Sequence, residues 1–388
     1  MPYKPYSPID WSGRIDVEAA LDKGIWPPQA MTARRNRLVL YQDLFDGEWA
    51  QVSEDDLRVQ VNYFRRIPVG LADILSMSPP QTGDLELDEA ISEAAYDGVI
   101  SMLRSGAALF WTNPETGDPE VLDPRYWFPG VEGWVYAVPL LSPGTGLTDR
   151  LDVRYQTGEV FTQTVYAFAG QNIGRVIETQ SFRMPDTLAL VRNRPVTSGW
   201  GGSVADQLAS AVVEVSDRYS KIGAVLDKFV KPLLTFRVAS SELPDLAPDI
   251  TDEDSWVEVQ EKVDKVFSGI ADQDVIELQD EVQDVTALTW DPRLETALDQ
   301  IQALQQDIET LASMPGLHTG FSEAGMSGIA IKRILIPLYA HSRSLQIRLV
   351  QGLNKSLAAA GVNAVVDWPH PFDVLEEAGE QPEERIVE

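Results

Sequence analysis

Cysteine is absent from this chain, which excludes disulfides and thiolate metal sites. Histidine is scarce: His318, His341 and His370 are the full set, with no pair at a metal-ligand spacing and none beside a nucleophile in the sequence. No run of about eighteen apolar residues occurs, which excludes a transmembrane helix. The opening "MPYKPYSPIDW" lacks the charged-then-apolar layout of a signal peptide, so a chain made and used in a cytosol is expected. Positive charge is also short: 31 Lys and Arg stand against 60 Asp and Glu, a formal net charge of -29. A free-standing nucleic-acid binder is usually basic, because neutralising phosphates supplies most of its affinity. That balance excludes ordinary DNA binding, but not a DNA conduit that must not stick.

Two local absences are sharper. No Asp or Glu occurs from Ala324 to Val366, although Lys332, Arg333, Arg343, Arg348 and Lys355 all do. From Leu294 to Ile331 there is no Lys or Arg. What is present points to a folded protein: 388 residues, 44% hydrophobic, with ten Trp. That length suits one large core or two to three domains.

Chemical motifs are missing as well. The glycine loop "GFSEAGMSGIAIK" has Gly325 and Gly328 at the wrong intervals before Lys332, with no hydroxyl after the lysine, so it is no P-loop. "GIAIK" matches part of a kinase strand pattern, but no His-Arg-Asp or Asp-Phe-Gly accompanies it. Catalysis has no candidate residue, and no cofactor is expected.

Along the chain, "VEAALDKG", "MTARRNRLVLYQDLFDGEWA", "RVQVNYFRRIPVGLADILSMSPP" and "LDEAISEAAYDGVISMLR" carry apolar residues at helical spacing. From "GAALFWTNPETGDPEVLDP" to about residue 195 the pattern predicts strands separated by Asn, Pro and Gly turns. Residues 203 to 229 predict a long helix: Leu208, Val212, Val215, Tyr219, Ile222, Leu226 and Phe229 alternate at spacings of four and three, with Ser203 as N-cap and Pro232 beyond the end. Glu214 and Arg218 are placed to pair on its outer face.

A second long helix is predicted from Pro292 to about Ala312, with Asp291 as N-cap. Its apolar seam is Leu294, Leu298, Ile301, Leu304, Ile308 and Leu311. A second stripe, Glu295, Asp299, Gln302, Gln306 and Glu309, gains nothing from salt bridges, and spacing alone leaves it a solvated face or a specialised one. Between the helices, residues 231 to 291 predict a small α+β insert, with fifteen acids from Ser241 to Thr286 against Lys262 and Lys265. A third helix is predicted from Gly328 to Ala360, roughly 50 Å long. Ser327 caps it, Gly361 stops it, and Pro337 should kink it. The tail "FDVLEEAGEQPEERIVE" is acidic and expected to be loose.

The order of "VNYFRRIPVGLADILSMSPP", "NRPVTSGWGGSVADQLASAVVEVSDRYSKIGAVLDKFVKPLLTF", "LDQIQALQQDIETLASMPGL" and "SGIAIKRILIPLYAHSRSL" resembles the portal proteins of tailed bacteriophages, siphophage portals in particular. The resemblance covers about residues 30 to 361, and its patterns are diffuse rather than a short signature. It implies an α+β portal fold: a wing over 1–202, stem helices at 203–230 and 292–313, and a clip at 231–291. It further implies a tunnel loop at 314–327, a long kinked wing helix at 328–361 and an acidic tail at 362–388, with little or no crown. The implied protein is structural, not an enzyme: a ring of about twelve copies at one capsid vertex through which double-stranded DNA is packaged and ejected.

The resemblance places His318, Thr319, Gly320, Phe321, Ser322, Glu323, Ala324 and Gly325 in the tunnel loop, and makes the Glu295 to Glu309 stripe a candidate channel lining. Lys332, Arg333, Pro337, Arg343 and Arg348 fall on the wing helix, whose cations are expected to meet acidic neighbours across subunit contacts. Asp252, Glu253, Asp254, Trp256 and Glu258 become docking residues of the clip. The implied partners are further copies of the chain, the major capsid protein, the large terminase, a head-tail adaptor and DNA held without sequence specificity, with no membrane. Assembly in the cytoplasm of a bacterial host is implied. The alternative is another head-tail connector or adaptor component with no part in DNA translocation.

Overall fold

The computed structural model describes residues 13–28, 31–48, 60–141, 148–193, 200–230, 233–238, 282–288, 294–315 and 328–373, without side chains at 226–238, 282–294 and 328–332. The fold is α+β. Residues Met1–Tyr219 with Asp299–Glu388 form one compact unit, and Ser220–Leu298 a second.

The first unit opens with helices α1 (Val17–Asp22), α2 (Thr32–Asp46), α3 (Tyr63–Ser76) and α4 (Leu85–Ser105). Asp16, Asn62 and Asp84 cap α1, α3 and α4 by accepting backbone N–H groups of Ala19, Arg65 and Glu86. Helix α3 buries Phe64, Ile67, Leu71 and Leu75, one stripe at helical spacing.

The β-rich run holds two antiparallel sheets. Strands β1 (Ala107–Thr112), β2 (Pro119–Leu122) and β8 (Leu188–Arg192) form the smaller, in the order β2-β1-β8. Strands β3 (Trp127–Gly130), β4 (Gly133–Leu141), β5 (Thr148–Thr157), β6 (Val160–Ala169) and β7 (Asn172–Arg183) form a meander in sequence order. Period-two alternation divides the meander's faces. Val135, Ala137, Leu151 and Val153 join Ile15 and Trp26 in one core, while Trp134 and Phe161 join Trp111, Trp127 and Trp200 in another.

Helix α5 (Val204–Val230) begins behind Ser203, whose hydroxyl accepts from the Ala205 N–H while Asp206 accepts from the Ser203 N–H. Leu208, Val212 and Val215 of its expected seam are buried, and Arg218 pairs with Glu214 at 2.7 Å. Helix α6 (Leu294–Ala312), which enters the first unit at Asp299, and α7 (Gly328–Ala359) follow, and Gly361 in the left-handed region follows α7 as the sequence led one to expect. Helix α7 runs through Pro337.

Helices α4 and α7 both pack on β1, and two glycines permit it. A Cβ on Gly98 would lie 2.6 Å from Phe110 Cζ, and one on Gly352 would lie 3.1 Å from Phe110 Cδ2 and well inside van der Waals contact distance of Val191 Cγ2. Beside this wedge Thr112 donates to Ser356 Oγ and Ser356 donates to the Thr187 carbonyl, each at 2.6 Å.

Residues 362 to 373 are packed at the chain's end; of the tail expected to be loose, Phe372 and Asp373 belong to this segment and residues 374–388 lie outside the described residues. Asp367 bridges Gln81, the Trp368 indole donates to the Ser78 carbonyl at 2.8 Å, and Val366, Trp368 and His370 are buried. Three aromatic residues in twelve, Trp368, His370 and Phe372, supply the apolar area that an acidic tail lacks.

In the second unit, β9 (Leu233–Val238) pairs antiparallel with β10 (Val282–Leu288), with a register shift between Val282 and Asp284. The helix and the strand "DVIELQ" expected within the insert lie outside the described residues.

Gly352→Ala should lower the urea-unfolding free energy by about 1–3 kcal/mol, because overpacking against Phe110 and Val191 outweighs the propensity gain. Gly223→Ala, with open space around it, should instead raise stability by about 0.5–1 kcal/mol.

Candidate functional site

Helix α6 is where local chemistry is most unusual. At about 100° per residue its buried sector comprises Ile301, Gln305, Ile308 and Ala312. This corrects the expected seam: Leu298 and Leu311 are each 49% exposed, and Leu304 is half-buried. Gln305 takes the inner position because its carboxamide is satisfied there, donating to the Tyr63 hydroxyl at 3.1 Å and the Tyr219 hydroxyl at 3.3 Å. Burial at this junction pushes the Tyr63 phenol up, partly offset by the Gln305 hydrogen bond.

The other stripe lies outside. Glu295, Asp299, Gln302 and Gln306 are exposed and Glu309 is half-buried. No Lys or Arg on α6 neutralises them. Arg218 of α5 reaches across to the Gln300 carboxamide rather than to the acids of the stripe.

The end of α6 is built as a Schellman motif. Ser313 adopts φ 57°, its N–H donates to Thr310, and the Met314 N–H donates to Glu309 at 2.9 Å. Met314 is buried against Gly70, so the start of the segment expected to form a loop is anchored in the body. The loop residues His318, Thr319, Gly320, Phe321, Ser322, Glu323, Ala324 and Gly325 lie outside the described residues. So do Asp252, Glu253, Asp254, Trp256 and Glu258, the capping residues Asp291, Pro292 and Ser327, and Pro232. The side chain of Lys332 is also outside.

On α7, Arg333 and Pro337 are exposed. Two cations of α7 make bonds within the chain. Arg343 pairs with Asp373 at 3.5 Å and donates to Gln346, and Arg348 donates to the Arg192 carbonyl. Asp373 supplies the reason: the packed tail carries an acid back onto an otherwise acid-free helix.

No family model matches the chain, and no curated protein matches it. Among solved structures, a chain in the neck of a native GTA (gene transfer agent) particle, computed with C12 symmetry, matches with TM-score 0.50 and 15% identity. That match covers 93% of this chain and 92% of the other. This chain shares its fold with a particle-neck chain. A chain in the neck of an empty GTA particle, computed with C6 symmetry, matches with TM-score 0.48 and 15% identity over 96% and 95%.

Two clusters were not foreseen from the sequence. Arg34 is buried, its guanidinium 4.9 Å from the Trp127 ring and 4.8 Å from that of Trp200. Burial, with Arg14 nearby, pushes its pKa down to about 9. Its spacing from Leu38, Tyr41 and Leu44, all on the buried face of α2, was the available signal. The second cluster joins His370 Nε2 to Ser342 Oγ at 2.9 Å. It is not a nucleophile pair. Ser342 donates to the Leu338 carbonyl at 2.7 Å, the Phe372 N–H reaches Nδ1, and the neutral imidazole therefore donates from Nε2. Both residues are fully buried, so the contact clamps the tail to α7. Among the described residues no His, Asp and Glu cluster suits a metal, and no helix is long and apolar enough to cross a membrane.

Burial holds the His370 pKa below the ordinary imidazole value, with Arg343 also lowering it and Asp373 opposing. The unfolded chain then binds a proton more readily than the folded one. The neutral clamp's contribution is complete above about pH 6.5 and is lost as pH falls through that value toward the lower folded pKa. Thermal melts between pH 7.5 and 5 should show a steeper loss of Tm in the native chain than in His370→Gln, and equal slopes would refute the clamp.

Proposed function

We propose that this chain is a portal-type structural protein, forming a ring at a capsid vertex through which double-stranded DNA passes. The observation that carries the reading is α6: a helix buried on one side whose outer stripe is acidic or neutral and has no cation of its own. The shared fold with a chain from a C12-symmetric neck supports a ring of twelve. DNA carries one negative charge per roughly 1.7 Å, and each lysine or arginine touching it adds salt-dependent grip. A channel wall of Asp299, Gln302 and Gln306 lets the duplex slide.

In this reading α5 and α6 are stem helices, residues 231–291 are a clip that docks the packaging motor and neck proteins, and α7 belongs to the wing. The segment at 318–325 is the tunnel loop, and Asp252, Glu253, Asp254, Trp256 and Glu258 are the docking residues of the clip. The major capsid protein, the large terminase and a head-tail adaptor are the proposed partners. The protein does no catalysis and needs no cofactor. It assembles in the cytoplasm of its bacterial host.

Two measurements test this. Asp299→Lys with Gln306→Lys changes three charges per copy, thirty-six in a ring of twelve. Rings should still form, because both side chains are exposed, but DNA should be retained at low salt and packaging should stall. Unimpeded packaging would place this stripe away from the channel. Twelve copies at -29 carry -348, so self-repulsion opposes closure. Ring yield should therefore rise between 0.01 M and 0.15 M salt, as the screening length falls from roughly 30 Å to about 8 Å. A falling yield would show that specific subunit ion pairs outweigh net charge.

A further inference from the structure

The outer face of α7 is as unusual as that of α6, in the opposite sense. Arg333, Ile336, Ala340, Ile347, Gln351 and Lys355 are all exposed. At about 100° per residue they fall within one sector roughly 100° wide, running about 33 Å along the helix. Leu338, Leu345, Leu349 and Leu353 occupy the opposite, buried side. The exposed sector holds two cations, two isoleucines and no acid, in a chain with 60 acids. Ile336 is 59% exposed and Ile347 48% exposed, so apolar side chains stand where a solvated helix would carry charge. Arg343 and Arg348, which bond within the chain, lie at the margins of this sector rather than on it.

Helix α6 supplies a complement. From Asp299 onward its circumference divides into three sectors. The core sector contains Ile301, Gln305 and Ile308, and the stripe contains Asp299, Gln302 and Gln306. The third contains Ala303, Asp307 and Leu311, all exposed. If the stripe faces a channel, this third sector, about 100° round the helix, faces sideways along the ring toward the next copy. It spans about 12 Å of the helix and is apolar and acidic, the opposite in charge to the apolar and basic face of α7.

We infer that the α7 face from Arg333 to Lys355 is a subunit contact, seated on the Ala303, Asp307 and Leu311 sector of α6 in a second copy of this chain. The inference rests on the ring reading and deepens it by naming the two surfaces. Arg333 meets Asp307, while Ile336 and Ala340 lie against the apolar residues beside it. An apolar centre with a charged surround is the usual anatomy of a stable interface.

The chain has no cysteine, so Ala340→Cys introduces a single thiol reporter. Labelling of that thiol by a maleimide should slow by about tenfold or more when the protein assembles, because interface cores exclude water. Equal labelling in rings and in unassembled protein would overturn the inference and leave the ring reading standing. Failure of the unaltered protein to assemble at any salt would overturn both. A charge exchange provides the second arm, independent of the thiol. Arg333→Glu should reduce assembly, and Asp307→Arg added to it should restore assembly. Loss without restoration would show that α7 meets a different surface, whether of this chain or of another protein, and would overturn the pairing.

Discussion

Phe110 stands between two helices that could not reach it if either Gly98 or Gly352 carried a Cβ. That constraint sets the spacing of α4, the β2-β1-β8 sheet and α7. Because α7 is held there, its buried side can run Leu338, Leu345, Leu349, Leu353 and Leu357 against the body. The same placement presents Ser342 and Gln346 to the returning tail, where Gln346 donates to the Trp368 carbonyl at 2.7 Å. The interior of this unit is thus tied by close packing and by buried polar contacts, and it admits the Arg34 guanidinium between the rings of Trp127 and Trp200.

The outside is where charge is sorted. A chain at -29 has few cations to place, yet those of α7 occur where acids are missing, and α6 carries acids where cations are missing. Such segregation has little value for an isolated monomer, whose exposed ion pairs contribute at most about 1 kcal/mol each. It has value for a body that must attract its own copies sideways while offering a passing polyanion nothing to hold. In the ring proposed above, net repulsion among copies and local attraction between faces oppose each other, and ionic strength sets their balance.

Much of this architecture was legible in local periodicity. The α5 seam through Leu208, Val212 and Val215, the alternation of β4 to β6 and the stop at Gly361 all follow from spacing and turn residues. The exposed stripe of α6 was legible as a stripe, though spacing could not say what it faces. What stayed hidden depends on distant partners. Gln305 looks like a surface residue until Tyr63 and Tyr219 arrive with their hydroxyls, which also explains why Leu311 is outside. Arg34 is a charge that only Trp127 and Trp200 make tolerable in a buried position. The packing of residues 362 to 373 stayed hidden because Trp368 and His370 are held by Ser78 and Ser342, which are distant in sequence. Periodicity reports one helix or strand at a time, and these contacts join residues more than twenty positions apart.

The central claim is that copies of this chain close around a channel walled by the outer stripe of α6. Electron cryomicroscopy of the purified protein at about 0.15 M salt, where the screening length is about 8 Å, tests it most directly. The account predicts a twelvefold ring with Asp299, Gln302 and Gln306 on the channel wall. Rings in which that stripe points outward, or particles of a single 43.0 kDa chain at every salt concentration, would contradict it.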